Sequence, residues 1–266
     1  MRLRIQSDGV NDDMVNKQQV KEVFQSYVSD FDAGDAMIQL KIDHTKRVAE
    51  LCEQIAKSLE LTAEECELAW LLGMLHDLGR FVQIREYGTF NDLVSINHAL
   101  GSIRVLFEDG YMRRFLECDC YDEIIDTAIR HHNAFRLPEG LDEKTKLFCD
   151  ILRDADKVDI MRLDTELPRE DIYGDDIEQC RYEAVTGAVF DEFMGRSAIL
   201  RSNIVNHIDR IVGHASLAFE LVFPLSRRIV YQKGYIDQIF DIGSENKCAQ
   251  EQISLMRTKV KNYILE

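Results

Sequence analysis

Apolar positions recur at helical spacing through most of the chain, and no segment alternates over several residues as a half-buried strand would. Val15 to Phe31 reads as an amphipathic helix, and Ala36 to Leu59 as a second, with Ile42, Val48, Leu51, Ile55 and Leu59 near one face. Thr62-Ala-Glu-Glu65 fits a capping box. It opens a helix running through LAWLLGMLHDLG, with Gly79 as its stop. That stretch is apolar nearly all round, so it is expected to be buried. Residues 80–95 read as the longest irregular stretch, and Ser95 as the cap of a helix that carries His98. Tyr121 to His132 and Asp142 to Leu163 read as helices on either side of a loop at Pro138-Glu-Gly140. Leu167 to Asp176 reads as a connection, followed by helices near 177–194, 197–222, 225–239 and 246–264. Residues 1–13 read as a loose polar tail.

Composition narrows this to an all-α fold. Three prolines and 14 glycines in 266 residues leave few breaks for long helices, and 45% hydrophobic residues suffice for a sizeable core. The length suits one large helical domain or a domain with an extension. The divisions read as a tail and helix over 1–34, a core over 35–165 and a helical extension over 166–266. A formal net charge of −16 repels polyanions and anionic lipid, so duplex nucleic acid and membrane are excluded as default partners. A small phosphate ester bound to a metal is not excluded, because the ion is then the largest local charge. No run approaches the ~18 apolar residues of a membrane span, and no secretory leader is expected from MRLRIQSDGVNDD. The seven cysteines are odd in number and lack metal-binding spacing; a reduced, cytoplasmic location is the expectation.

The chemistry lies in His44, His76-Asp77, His98, His132 and Asp156, a series H…HD…H…H…D on predicted helices. One His-Asp pair says little. Imidazoles and carboxylates from several helices can converge on a divalent ion, and ligands without thiolate favour Mn, Fe, Co or Ni over structural zinc. Neighbours on a helix point about 100° apart, so His76 and Asp77 need a helix end, or a shared bridging role, to act together. Asp43-His44 repeats the dipeptide without a buried apolar run before it, and Asp43 reads as a decoy. In LRDADKVDIMR, Asp154 and Asp159 read as solvated or as supports of the ligands. No phosphate loop, HExxH or GxSxG motif occurs.

These residues resemble those of the HD-domain metallohydrolases over roughly Asp43 to Asp164. The resemblance implies a helical HD bundle and, with His98 and His132 present, the binuclear subgroup. It implies one ion on His44, His76, Asp77 and Asp156, and a second on Asp77, His98 and His132, with Asp77 bridging. It favours Asp156 through its Ala-Asp-Lys setting, and His132 over His131 through the AIRHHNAF pattern, leaving His131 to support the ligands from outside. Arg80 and Lys157 adjoin ligands at places where the family often carries a basic residue, and are expected to grip phosphate; Arg130 and Arg136 read equally well as ordinary ion pairs. The implied activity is hydrolysis of a phosphoester of a small nucleotide or related metabolite, with hydroxide generated at two divalent ions (Fe or Mn favoured; Co, Ni or Mg open). Two alternatives share the ligand types: an HD-type diiron oxygenase, and a regulatory module that keeps metal without turnover. A homo-oligomer is left open.

Overall fold

The computed structural model describes residues 15–174 and 176–266; the expected tail over 1–13 lies outside them. Helices dominate, and no β-strand occurs among the described residues. In order they are α1 (Lys17–Val28), α2 (Ala36–Ser58), α3 (Ala63–Leu75), α4 (Leu78–Tyr87), α5 (His98–Ile103), α6 (Met112–Phe115), α7 (Asp122–His131) and α8 (Glu143–Glu166). There follow α9 (Arg169–Tyr173), α10 (Gly187–Met194), α11 (His207–Ser216), α12 (Pro224–Lys233), α13 (Tyr235–Ile239) and α14 (Lys247–Leu265), with short 3-10 turns between. No described helix is long and apolar enough to cross a membrane.

α3 sits at the centre. Thr62 and Glu65 close the expected capping box, and every residue from Leu68 to Leu75 is buried. α2 lies directly against it because of Gly73. A Cβ there would stand 2.4 Å from Ala49 Cα, so only glycine lets the two backbones approach this closely. Val48, Leu71, Leu72, Phe81, Ile129 and Phe148 belong to one apolar core. A second, including Val189, Phe193, Ile211, Phe240 and Val260, lies among the later helices. α8 runs through both, contributing Ile151 and Ala155 to the first and Val158 and Met161 to the second.

Several local readings are corrected. Gly79 does not stop a helix. α3 ends at Leu75, His76 and Asp77 form a turn, and α4 runs on through the first half of the stretch expected to be irregular. Gly79 serves close approach instead: a Cβ would lie 2.3 Å from the His98 carbonyl oxygen and 2.5 Å from Ser102 N. The cap of α5 is Asn97, whose side chain accepts from Ala99 N and Leu100 N, while Ser95 Oγ donates back to Asn91 O at 2.8 Å. The expected connection after Leu167 contains the short helix α9. Cys118 and Cys120 are joined in a disulfide, which the reading of a reduced compartment did not anticipate, and the other five cysteines are free.

Candidate metal centre

The turn between α3 and α4 resolves the angular problem of adjacent ligands. With no helix through residues 76 and 77, His76 and Asp77 both face the middle of the bundle. α2 brings His44, the start of α5 brings His98, the end of α7 brings His132 and α8 brings Asp156. His44, His76, Asp77, His98 and His132 are buried, and Asp156 nearly so.

Their reactive atoms fall into two groups that could hold a metal ion: His44, His76 and Asp156, and Asp77, His98 and His132. His44 Nε2 and His76 Nε2 lie 3.3 Å apart, with Asp156 Oδ1 at 3.2 Å from the first and 3.8 Å from the second. His98 Nε2 and His132 Nε2 are 3.0 Å apart. Asp77 lies between the groups. Its Oδ2 is 3.5 Å from both His44 Nε2 and His76 Nε2, and its Oδ1 is 3.7 Å from His98 Nε2 and 3.9 Å from His132 Nε2.

What holds the rings decides which atom faces inward. His44 Nδ1 meets Asp159 Oδ2 at 2.7 Å and His98 Nδ1 meets Asp92 Oδ2 at 2.6 Å. His76 Nδ1 meets the Gly73 carbonyl at 2.8 Å and His132 Nδ1 the Ile129 carbonyl at 2.7 Å. Each Nδ1–H thus has an acceptor, which leaves the Nε2 lone pair of every neutral ring turned to the centre. Lone pairs so close repel one another unless a cation lies between them. Burial draws the His98 and His132 imidazoles down to about 4, so both rings are neutral at physiological pH, the form that could ligate a metal. Burial also lowers His76. His44 differs: burial lowers it, but hydrogen bonds to Asp156 and Asp159 outweigh that and raise it. Burial pushes the Asp77 carboxyl up, but Lys41, His76, His98 and Arg80 bring it well below its ordinary value. Its Oδ1 is buried without a hydrogen-bond partner, as befits an oxygen meant for a ligand. The donor set fits divalent ions bound by nitrogen and oxygen.

The supports were only partly foreseen. Asp159 stands three residues after Asp156 on the same face of α8; it also accepts from Arg47 Nε at 3.0 Å and Arg162 Nε at 2.7 Å. Asp92 was missed, since it lies in a loop without periodicity. That loop is held by Gln83, which is fully buried and donates to Asp92 Oδ1 at 2.9 Å and Ser95 Oγ at 2.7 Å. Lys41 was also missed. It precedes His44 by nearly one turn, and its Nζ donates to Asp77 Oδ2 at 2.7 Å.

The expected phosphate-gripping residues are placed differently from one another. Arg80 NH1 donates to Gln83 Oε1 at 2.6 Å, the Phe90 carbonyl at 2.7 Å and Asp92 Oδ1 at 2.9 Å. Its other edge turns to the ligands, with Nε partnerless and 3.8 Å from Asp77 Oδ1, and NH2 3.4 Å from His98 Nε2. Burial draws the Lys157 amine down to about 8. Arg130 pairs with Asp126 and Arg136 with Glu220. His131 joins neither ligand group; its carbonyl accepts from Arg153 NH1 at 3.1 Å. Asp43 is exposed. Asp154 is corrected from the solvated reading: it is fully buried and accepts from Val222 N and Phe223 N, each at 2.9 Å.

Residues 42–161 match the HD domain family along their length, and every residue of the two ligand groups falls within that span. This segment is an HD domain, a family that binds divalent metal ions and consists mostly of phosphohydrolases. Over 46 residues the chain is also 41% identical to the 3'3'-cGAMP-specific phosphodiesterase 1 of Vibrio cholerae serotype O1, a stretch covering 17% of this chain and 11% of that protein. No solved structure matches.

Proposed function

We propose that the protein is a two-ion phosphohydrolase acting on a phosphoester of a small nucleotide or related phosphorylated metabolite. The observation that carries this reading is Asp77, whose two oxygens face two different pairs of imidazole nitrogens. His44, His76, Asp77 Oδ2 and Asp156 would hold one ion, and Asp77 Oδ1, His98 and His132 the other. Iron or manganese suits the set, with cobalt, nickel and magnesium as further candidates. Bound there, divalent ions supply Lewis-acid polarisation of phosphoryl oxygens and bring water towards ionisation at neutral pH. The chain supplies orientation. Asp159 and Asp92 fix two of the imidazoles, and two helix carbonyls fix the others. Arg80, held at NH1 by the loop, offers its Nε–H and NH2 edge to a non-bridging phosphoryl oxygen, a donor fork suited to phosphate. In this reading residues 35–165 are the catalytic core, with α1 before it and the helical extension over 166–266 packed on it. The HD family and the short match to a cyclic-dinucleotide phosphodiesterase support the reaction class.

Two measurements test the reading. Protein purified without added metal should contain transition metal, and a screen of nucleotides, cyclic dinucleotides included, should release phosphate or a cleaved diester with Mn, Fe or Co. Dioxygen consumption by the iron form without any phosphoester cleavage would move the assignment to an oxygenase. Metal without either turnover would leave a regulatory module.

His98→Ala should halve the metal content, retaining the ion at His44, His76 and Asp156. Parental metal content in that variant would remove His98 from the ligand set. If Asp77 bridges, the two ions in the parent should lie about 3.5–4 Å apart.

A further inference from the structure

A cleft of about 480 Å³ lies where the core meets the extension, between α2 and α8 on one side and α12 and α13 on the other. Small-molecule sites span about 300–1,000 Å³. Asp159 belongs to the wall of this cleft and fixes its place relative to the metal centre. It meets His44 at Nδ1, 2.7 Å away, whereas Nε2 of the same ring faces Asp77 and Asp156. The cleft therefore lies behind His44, on the side of the ring turned from the metal ligands.

Its charged groups are unevenly committed. Asp159 Oδ2 is taken by His44, and Oδ1 by Arg47 Nε at 3.0 Å and Arg162 Nε at 2.7 Å. Glu166 takes Arg162 NH1. Glu50, exposed in the lining, is the one carboxylate there without a partner among the described residues. Donors are in surplus. Arg162 NH2 is buried with no acceptor. The outer nitrogens of Arg47 make no hydrogen bond among the described residues, and neither does the Lys233 amine. The Arg47 side chain is 32% exposed, so its free fork is open to a solute. Leu51, Val158 and Ile229 give the cleft an apolar wall. A guanidinium fork and an ammonium group match an oxyanion, and the wall matches a hydrocarbon body.

We propose that this cleft binds a small organic anion, a phosphate or carboxylate on an apolar body, and acts as an effector site for the metal centre. Arg47 and Lys233 hold the oxyanion, and the apolar wall holds the body. Arg47, drawn to the anion, relaxes its hold on Asp159. That carboxylate becomes a stronger acceptor for His44 Nδ1–H, and His44 Nε2 a better donor to metal. Anion and metal then favour one another, each strengthening the other by the same factor. The coupling rests on the reading of His44 as a ligand; the cleft itself does not.

The test is calorimetric titration of the full chain with phenylphosphonate and benzoate, which carry the two kinds of oxyanion on one ring and hold no phosphoester to cleave, and with uncharged benzamide. At least one anion should bind the parent about tenfold or more tighter than benzamide, the size of one charge-assisted contact; the tighter of the two names the oxyanion. Lys233→Met, and Ile229→Trp, whose ring fills the cleft, should each weaken that anion about tenfold with metal content unchanged. At a concentration that fills the parent's cleft but not that of Lys233→Met, the anion should tighten Mn²⁺ binding in the parent alone. Anions binding no better than benzamide would overturn the site. So would equal anion binding in the parent and both variants, which would put the anion on the metal centre. Loss of the anion in both variants with Mn²⁺ affinity indifferent to it would overturn the effector role. If the variants lose the anion and the parent binds no metal, the site stands and the phosphohydrolase reading falls.

Discussion

Asp77→Asn should abolish phosphoester hydrolysis, by on the order of 10³-fold or more, while far-ultraviolet circular dichroism shows the helices intact. The amide matches the carboxylate in shape but carries no charge. Each Asp77 oxygen faces a separate imidazole pair, so a single substitution weakens both ion sites at once. Several kcal/mol of transition-state stabilisation come with the ions, and each 1.36 kcal/mol is a factor of ten in rate. Metal analysis should show both ions depleted. Parental turnover in Asp77→Asn would remove Asp77 from the machinery of hydrolysis. Full metal content with no turnover would instead assign Asp77 a role other than holding the ions.

Gly73→Ala should lower the melting temperature and metal affinity together. On propensity alone, alanine in a helix interior gains about 1 kcal/mol over glycine. The added methyl would, however, lie 2.4 Å from Ala49 Cα and 2.6 Å from Ala49 N. These are backbone atoms, so relief requires α2 and α3 to separate. Overpacking costs about 1–3 kcal/mol, and a clash with backbone this close belongs at the upper end of that range, which exceeds the propensity gain. The net loss of roughly 2 kcal/mol corresponds to about 4–8 °C in a chain of this size. The same separation would pull His76 away from His44, whose Nε2 atoms are 3.3 Å apart. An unchanged or raised melting temperature would show that the helices absorb the methyl without moving.

The residues that meet at the centre were legible because their types are. Histidine and aspartate on apolar helices stand out against Leu, Ile and Val, and their order along the chain survives any misplaced helix end. The groups that orient them were not. Asp92 sits in a loop where carboxylates are common, and Gln83 reads as one more polar residue on a helix until its side chain is seen to hold that loop. Lys41 could have been found from its spacing of three before His44. The misreading of Gly79 has a single cause: glycine marks both helix ends and close backbone contacts, and only the position of α5 decides between them. The helical reading of α3 was secure because a capping box and a continuous apolar run agreed.

The seam between α8 and the start of α12 has an uneven dependence on sequence. On one side a particular side chain is required, the buried carboxylate of Asp154. On the other, what it binds is the main chain of Val222 and Phe223, and every amino acid except proline offers the same N–H. The two ends of this join are therefore free to drift apart in evolution: residues 222 and 223 can exchange side chains while the carboxylate opposite stays put. A contact of this kind leaves no covarying pair behind it, although it fastens the last third of the chain to the helix that carries Asp156.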